Sequence, residues 1–527
     1  MAKTETRPDA ETDTATPAPA PSAGLPRPTG GLAGLLGTGR HRSIGRLWVG
    51  TSLVFLAVSG GIGGALGAER LKPETYNVLN KDSFAQALSL HGVGGLFLFA
   101  LPILIGLATI VVPRQIGAHS IAFPRAAAAA YWTYLVGGSL VVVSYLINGG
   151  PFGGNDEGVD LFLASLALVV AALVLASICI ATTVLALRVP GLTLARVPLF
   201  AWSMLVACTI WIASLGLLFG VLVLLYVDHH YQTLVFAPTE ELAAWLRWTI
   251  TGPQVFAAAI PVVGFVGDVV PVFARTRARM YGVQLAAIGA FGALSFGADF
   301  YLGFQHPALP ESALYVAAAF ALLLPLLAFT AAVAETLRGG RIRLSSPLLF
   351  AISALLMLLA GAAAGAVRVV EPFKLVGTTA DSSVLHYVLG AVTIAAIGAI
   401  HYWWPHVLTR PLGEGLARLT ALVLLLGVIA LSLPDIINGF LDEPAGSLYT
   451  NVRDGVPALN AVSLAGGLLV MLAVVLFVLN LAVSMARRPD DEVNDPWGGH
   501  TLEWVPDASA VTVNSPSPLF DLQEADA

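Results

Sequence analysis

Long apolar stretches recur about twelve times along this chain, and each is long enough to cross a lipid bilayer as a helix. A helical span needs about 20 predominantly apolar residues, and in lipid only helices or closed barrels satisfy the backbone. Charged residues make up 11% of the chain, against about 25% in soluble domains. The sequence therefore predicts an all-α integral membrane protein of about twelve transmembrane helices. The predicted spans lie near residues 44–67, 88–112, 127–148, 160–187, 199–226, 243–273, 282–303, 313–337, 346–370, 382–408, 416–440 and 457–487.

The charge of the loops alternates along the chain, and this pattern predicts the orientation. One set of loops is rich in arginine, as at Arg275, Arg277 and Arg279, whereas the opposite set is mixed or acidic, as at Glu240 and Glu241. Because cytoplasmic loops carry the excess of basic residues, both termini are predicted to be cytoplasmic, in a multi-pass protein of the plasma membrane. The net charge of −6 lies largely in tails and loops, and no nucleic-acid partner is expected.

Composition divides the chain into three predicted regions. Residues 1–40 are rich in Pro, Ala, Thr and acidic residues and cannot bury enough apolar surface to fold, so they are predicted to be a disordered cytoplasmic tail. Residues 41–488 are predicted to form the twelve-helix membrane domain, and residues 489–527 a cytoplasmic C-terminal tail. No basic, apolar and cleavage-site pattern precedes the first span, so no secretory signal peptide is expected.

Histidine is costly inside a bilayer and marks a candidate functional site there. Three of the ten histidines fall within the predicted spans: His91, His386 and His401. His91 and His386 lie at similar depth near the outer ends of their helices, whereas His401 is roughly 22 Å further along the tenth helix. Two imidazoles at one depth on different helices are the usual geometry for holding a haem iron. A helix–helix hydrogen bond or a chance match remains an alternative, since polar residues also join membrane helices.

Distinctive segments accompany these histidines in a fixed order. They are HRSIG from His41, HGVGGLFLFALP from His91, PRQIGAHSIAFPR from Pro113, RVPGLTLARVPLFAW from Arg188, DHHYQTLVFAP from Asp228, HYVL from His386, HYWWP from His401 and DPWGGHTLEW from Asp495. Together they resemble cytochrome c oxidase subunit I, of the haem–copper oxidase superfamily, over most of the chain. The resemblance implies the helix arrangement of that subunit.

The resemblance also implies a cofactor. In that family, the histidines corresponding to His91 and His386 are the two axial ligands of a low-spin haem iron. One low-spin haem of unknown type is therefore expected here. The arginine pair that steadies the haem propionates in the family is replaced by the stretch from Glu443 to Tyr449.

The oxygen-reducing centre of the family lacks its usual residues in this chain. In the family, the corresponding positions supply copper histidines, a glutamate, a redox-active tyrosine, a proton-pathway lysine and the ligand of a high-spin haem. Oxygen reduction needs a vacant haem-iron position facing copper, and copper needs imidazole nitrogens. The site is therefore interpreted as degenerate, and no copper is expected. The degenerate positions are Gly252, Gln254 and Phe256 in the sixth helix, Asp299, Phe300 and Tyr301 in the seventh, Phe329 in the eighth and Val384 in the tenth.

These features favour a cytochrome c oxidase subunit I-like haem protein of a respiratory electron-transfer chain, with the low-spin haem retained and the dioxygen site lost. No catalytic residue is predicted. Two alternatives remain: a functional terminal oxidase of aerobic respiration, and a haem-free structural or assembly subunit of a respiratory complex. The expected partners are the lipid bilayer, other oxidase-type or respiratory-complex subunits, and an external electron donor such as a cytochrome c or a cupredoxin.

Overall fold

The computed structural model describes residues 38–71, 79, 81–151, 153–233, 240–296, 309–408, 410–446, 453–486, 495–505 and 512–525. The described residues from Gly39 onward belong to one compact unit. In the described part of the compact unit the regular structure is helical, and the β contacts amount to an isolated bridge between Thr378 and Pro444.

Consecutive helices make up the membrane domain. They are α1 (His41–Glu69), α2 (Lys81–Val93, continued by Gly94–Ala100 and Leu101–Gln115), α3 (Pro124–Leu146), α4 (Asp156–Ala186), α5 (Leu199–Tyr231), α6 (Glu240–Ala274), α7 (Tyr281–Ser295), α8 (Leu309–Ala321 and Leu323–Gly339), α9 (Ser346–Arg368), α10 (Thr379–Trp403), α11 (Glu414–Phe440) and α12 (Val456–Ala486). The C-terminal tail adds α13 (Pro518–Ala525).

Among the described residues, eleven of these helices are long and apolar enough to cross a bilayer. The prediction of an all-α, multi-pass membrane protein is confirmed. The remaining predicted span, 282–303, is the seventh along the chain; it begins as the shorter apolar helix α7, and its second half falls largely outside the described residues.

Helices α2 and α6 are the most deeply buried of the bundle. The most apolar window of each is 100% buried, whereas the corresponding windows of α1 and α12 are only 22% buried. Helices that follow one another in the chain pack together, as α4 with α5 and α11 with α12, and α12 also packs against α1. The outer helices therefore keep apolar side chains on their surface, which suits contact with lipid tails.

The winding of α2 changes next to the first candidate ligand. Residues Gly94–Ala100 form a π-helical turn that begins three residues after His91 and is buried throughout. Such turns are rare and often lie at functional sites. The turn packs against both α1 and α10, so it lies where these three helices meet.

The C-terminal tail packs against the end of the bundle that is predicted to be cytoplasmic. Trp497 donates to the carbonyl oxygen of Tyr402 at 3.0 Å, and Trp504 donates to the Tyr402 hydroxyl at 3.2 Å. Arg277, in the connection between α6 and α7, pairs with Asp521 of α13 at 2.7 Å. The tail is therefore attached to two separate parts of that end.

A buried polar cluster joins the same tail to the membrane helices. Gln115, at the end of α2, donates to Asp268 of α6 at 2.8 Å and to Glu503 of the tail at 3.1 Å. Trp403 donates to the same Glu503 oxygen at 3.2 Å. Burial raises the pKa of the Glu503 carboxyl above its ordinary value, because the charged form is disfavoured away from water.

Glycines allow neighbouring helices to approach closely. A Cβ atom built on Gly466 of α12 would lie 2.1 Å from the backbone nitrogen of Leu431 in α11, so a larger residue does not fit there. A Cβ atom on Gly216 of α5 would meet no atom within 4 Å. Small residues at such contacts are a common device of membrane-helix packing.

We expect Gly466→Ala to lower the free energy of unfolding by about 1–3 kcal/mol, because the added methyl group forces α11 and α12 apart. The matched variant Gly216→Ala adds the same group in open space. Since alanine favours a helix more than glycine does, this control should be neutral or slightly stabilising. Thermal unfolding of both variants in one detergent makes the comparison, and equal midpoints would contradict the close contact.

Candidate functional site

Two histidines from different helices meet inside the bundle. His91 lies in α2 and His386 lies in α10, 295 positions later in the sequence, and their ring centroids are 6.0 Å apart. The planes of the two rings are inclined by 66°. The two side chains that were singled out from their depth in the sequence are therefore brought together.

The Nδ1 atom of each ring faces an oxygen of a neighbouring helix. His91 Nδ1 lies 2.8 Å from the carbonyl oxygen of Ser59 in α1, and because a carbonyl can only accept, Nδ1 carries the proton. His386 Nδ1 lies 3.5 Å from a carboxylate oxygen of Asp435 in α11. This arrangement leaves the Nε2 lone pair of His91 free to bind a metal.

A cavity of about 1480 Å³ surrounds both histidines. It exceeds the roughly 300–1,000 Å³ that is typical of small-molecule sites, so it has room for a large ligand. One wall consists of glycines of α1, where bulkier residues would intrude. A Cβ atom built on Gly63 would lie 2.8 Å from Cε1 of His91.

The spacing of the two rings would allow both imidazoles to bind one metal ion. A bond from a metal to a histidine nitrogen is about 2.0 Å long. Two such bonds, with the distance from each nitrogen to its ring centre, give roughly 6 Å between centroids, and the observed value is 6.0 Å. The residues present therefore fit the haem that the resemblance implies.

Two arginines that the sequence analysis did not assign to the site also line the cavity. Arg70, just after α1, lies 4.0 Å from Asp435, and Arg368, at the end of α9, is 6% exposed and lies 3.3 Å from Asp381. Guanidinium groups bind carboxylates well, so both suit the propionates of a haem. An arginine at the end of a predicted membrane helix is the sequence signal that could have identified them.

The positions that the resemblance assigns to an oxygen-reducing centre are buried, as far as they fall within the described residues. Gln254 is completely buried and accepts a hydrogen bond from Ser214 at 3.1 Å. A Cβ atom built on Gly365 of α9 would lie 3.3 Å from Phe256 and 3.7 Å from Val384. The side chains of α6 and α10 at these positions therefore converge on one glycine, with a phenyl ring and an isopropyl group facing it.

For the remaining positions, the structure gives burial or no description. Gly252 and Phe329 are buried, whereas Asp299, Phe300 and Tyr301 lie outside the described residues. Within the described residues, no group of three or more His, Cys, Asp or Glu side chains could hold a metal ion.

The third histidine within the spans has its own partners. His401 is buried, its Nδ1 lies 2.8 Å from the carbonyl oxygen of Ile397, and its Nε2 lies 3.3 Å from Asn480. Its ring also stacks on Phe350. Both ring nitrogens are thus engaged in helix packing.

Comparison with known proteins gives a family and relatives. A sequence profile of the family described as "Cytochrome C and Quinol oxidase polypeptide I" matches residues 43–469, which include both cavity histidines. The chain is 28% identical over 509 residues to cytochrome c oxidase subunit 1 of Alkalihalophilus pseudofirmus, covering 91% of this chain and 81% of that protein. It is 29% identical over 507 residues to heme-copper oxidase subunit I+III of Aeropyrum pernix, covering 91% and 60%.

A solved structure shares the fold. A heme-copper terminal oxidase dimer determined by cryo-EM matches with a TM-score of 0.67 and 14% sequence identity, over 92% of this chain and 89% of that one. The predicted helix arrangement is confirmed by this likeness.

We expect Gly63→Ala to reduce the amount of haem bound per chain, because its methyl group would displace the His91 ring from its position beside Ser59. Gly61→Ala is the matched control, since a Cβ atom there meets nothing within 4 Å. Haem content of the purified proteins, measured against protein concentration, gives the result. Equal loading of the two variants would show that Gly63 is not needed for the placement of the histidine.

Proposed function

This chain belongs to the cytochrome c and quinol oxidase polypeptide I family, and we propose that it is a membrane haem protein of respiratory electron transfer that holds one low-spin haem between His91 and His386. The observation that supports this most is the 6.0 Å spacing of the two imidazole rings across a large cavity. The haem supplies one-electron redox chemistry when it is bound.

The residues of this chain would bind and orient that group. Ser59 fixes the tautomer of His91 through its carbonyl oxygen, which leaves the lone pair on Nε2 available to a metal. Arg70 and Arg368 would take the propionates. The glycines of α1 that line the cavity would give the flat ring access to the histidines.

We further propose that the chain has lost the dioxygen site. Gly252 and Val384 stand where the family has a copper ligand and the ligand of the high-spin haem, and neither side chain has an atom that could bind a metal. Phe256 replaces the tyrosine with a ring that cannot donate a hydrogen. Its packing beside Val384 and Gly365 supports this proposal.

The names of the curated relatives favour a second candidate, a functional terminal oxidase subunit. Cytochrome c oxidase subunit 1 of Alkalihalophilus pseudofirmus aligns with 91% of the chain. That function would need ligands from elsewhere, such as Asp299 or Tyr301, which lie outside the described residues. Metal analysis and carbon monoxide binding distinguish the two candidate functions.

Subunits of this family work in membrane complexes with other oxidase subunits, and we propose such partners here. The two histidines lie toward the ends of α2 and α10 that are predicted to face outward. An external donor, such as a cytochrome c or a cupredoxin, would therefore approach the bundle from that face.

Replacing either His91 or His386 by Ala should abolish the sharp low-spin absorption bands of the reduced protein or convert them to those of a five-coordinate haem, because each variant removes one axial ligand. Optical spectra of the purified variants test this. His119→Ala is the control, since that histidine is exposed and lies in the connection between α2 and α3. Unchanged spectra in both ligand variants would refute the assignment.

The purified protein should contain iron without stoichiometric copper, and its reduced haem should not bind carbon monoxide, because both axial positions are filled. Elemental analysis and carbon monoxide difference spectra make the measurements. A stoichiometric carbon monoxide complex together with cyanide-sensitive oxygen uptake would instead establish the terminal oxidase.

A further inference from the structure

Asp435 is a carboxylate in an unusual place. It lies in α11 with 0% exposure and lines the cavity, and neither carboxylate oxygen has a hydrogen-bond donor among the described residues. Removing a carboxylate from water is costly unless hydrogen bonds and opposite charges compensate. The carboxylate lies beside His386, a candidate haem ligand, and this position indicates a role in holding that histidine.

Two groups face the Asp435 carboxylate. His386 Nδ1 lies 3.5 Å from one oxygen, and the Arg70 guanidinium lies 4.0 Å from the other. His386 Nδ1 is also buried and has no hydrogen-bond partner within the described residues. The distance of 3.5 Å is too long for a good hydrogen bond, whose usual length is about 2.9 Å, so a movement of about 0.6 Å would close it.

The other histidine is held differently. His91 Nδ1 donates to the carbonyl oxygen of Ser59 at 2.8 Å, and the Ser59 hydroxyl lies 3.2 Å from the same nitrogen. A neutral carbonyl is a weaker acceptor than a carboxylate, whose hydrogen bonds are about twice as strong. The two imidazoles therefore differ in the acceptor that faces Nδ1.

We propose that Asp435 is a positioning residue that accepts a hydrogen bond from His386 Nδ1 in the haem-loaded protein and makes this imidazole the stronger electron donor of the two. The proposal rests on haem ligation by His91 and His386. A hydrogen-bonded carboxylate fixes the tautomer of a ligand histidine and raises its basicity. A more basic ligand stabilises oxidised iron, so Asp435 lowers the reduction potential of the haem.

The test is Asp435→Asn, which keeps the size of the side chain and removes its charge. The variant should still bind a low-spin haem, because both histidines remain. At one fixed electrode potential its ratio of ferrous to ferric haem should rise about tenfold, which is 59 mV for a one-electron couple. The EPR g values of the ferric haem should change as well, because the donor strength of His386 changes.

Asp381→Asn is the matched control. Asp381 lines the same cavity and carries the same charge, but it pairs with Arg368 and makes no contact with either imidazole that the structure describes. Losing a charge in the cavity would shift the potential in both variants, whereas only Asp435→Asn should alter the g values. Asp435→Glu should return the reduction potential and the g values part of the way to those of the unaltered protein, because a carboxylate is again present.

A measurement on the unaltered protein avoids any dependence on how the variants fold. Electron–nuclear double resonance of the ferric protein should detect two exchangeable Nδ1 protons with different couplings, one for each imidazole. Equal couplings, or an Asp435→Asn variant with bound haem and unchanged potential and g values, would overturn the proposal and leave the haem assignment intact. A wild-type protein without low-spin haem would overturn both.

Discussion

Inside a lipid bilayer, each backbone amide must find its hydrogen-bond partner within the chain, because lipid tails offer none. This requirement makes the spans continuous helices, even where α6 contains Pro253, Pro261 and Pro271. Side chains are then left to decide how the helices pack. Glycines such as Gly466 permit close contacts between neighbouring helices, and the glycines of α1 leave room for the cavity that holds His91.

Buried polar side chains also need hydrogen-bond partners within the chain. Two buried carboxylates at opposite ends of the bundle differ in the partners they have. At the end near the C-terminal tail, Asp268 accepts hydrogen bonds from Gln115 and from the backbone nitrogens of Leu199 and Phe200, at 2.8–3.1 Å. It thereby satisfies free amides at the start of α5. Asp435, beside the cavity, has no such donors among the described residues. The Asp268 carboxylate is therefore stabilised by hydrogen bonds from the protein, whereas the Asp435 carboxylate faces only His386 and Arg70 at longer distances.

The positions that the resemblance assigns to the oxygen-reducing centre are buried where the structure describes them. Phe256 and Val384 meet at Gly365, and Gln254 is held by Ser214. Close packing of apolar groups stabilises the centre of the bundle without a metal. Val384 is also part of the wall of the cavity that surrounds His91 and His386.

The helices, their order and the pairing of His91 with His386 could be predicted from the sequence, because hydropathy and helical rise are local properties of the chain. The family followed from ordered motifs. The sequence could not predict the acceptor at each Nδ1 atom or the placement of Arg70 in the cavity. Both depend on side chains that distant segments bring together. The contact of Gln115 with Glu503 spans 388 positions. The sequence by itself determined which residues enter the membrane and at what depth. Only tertiary packing decided which of these residues share a cavity, because contacts between helices depend on a close fit of side chains that no local pattern encodes.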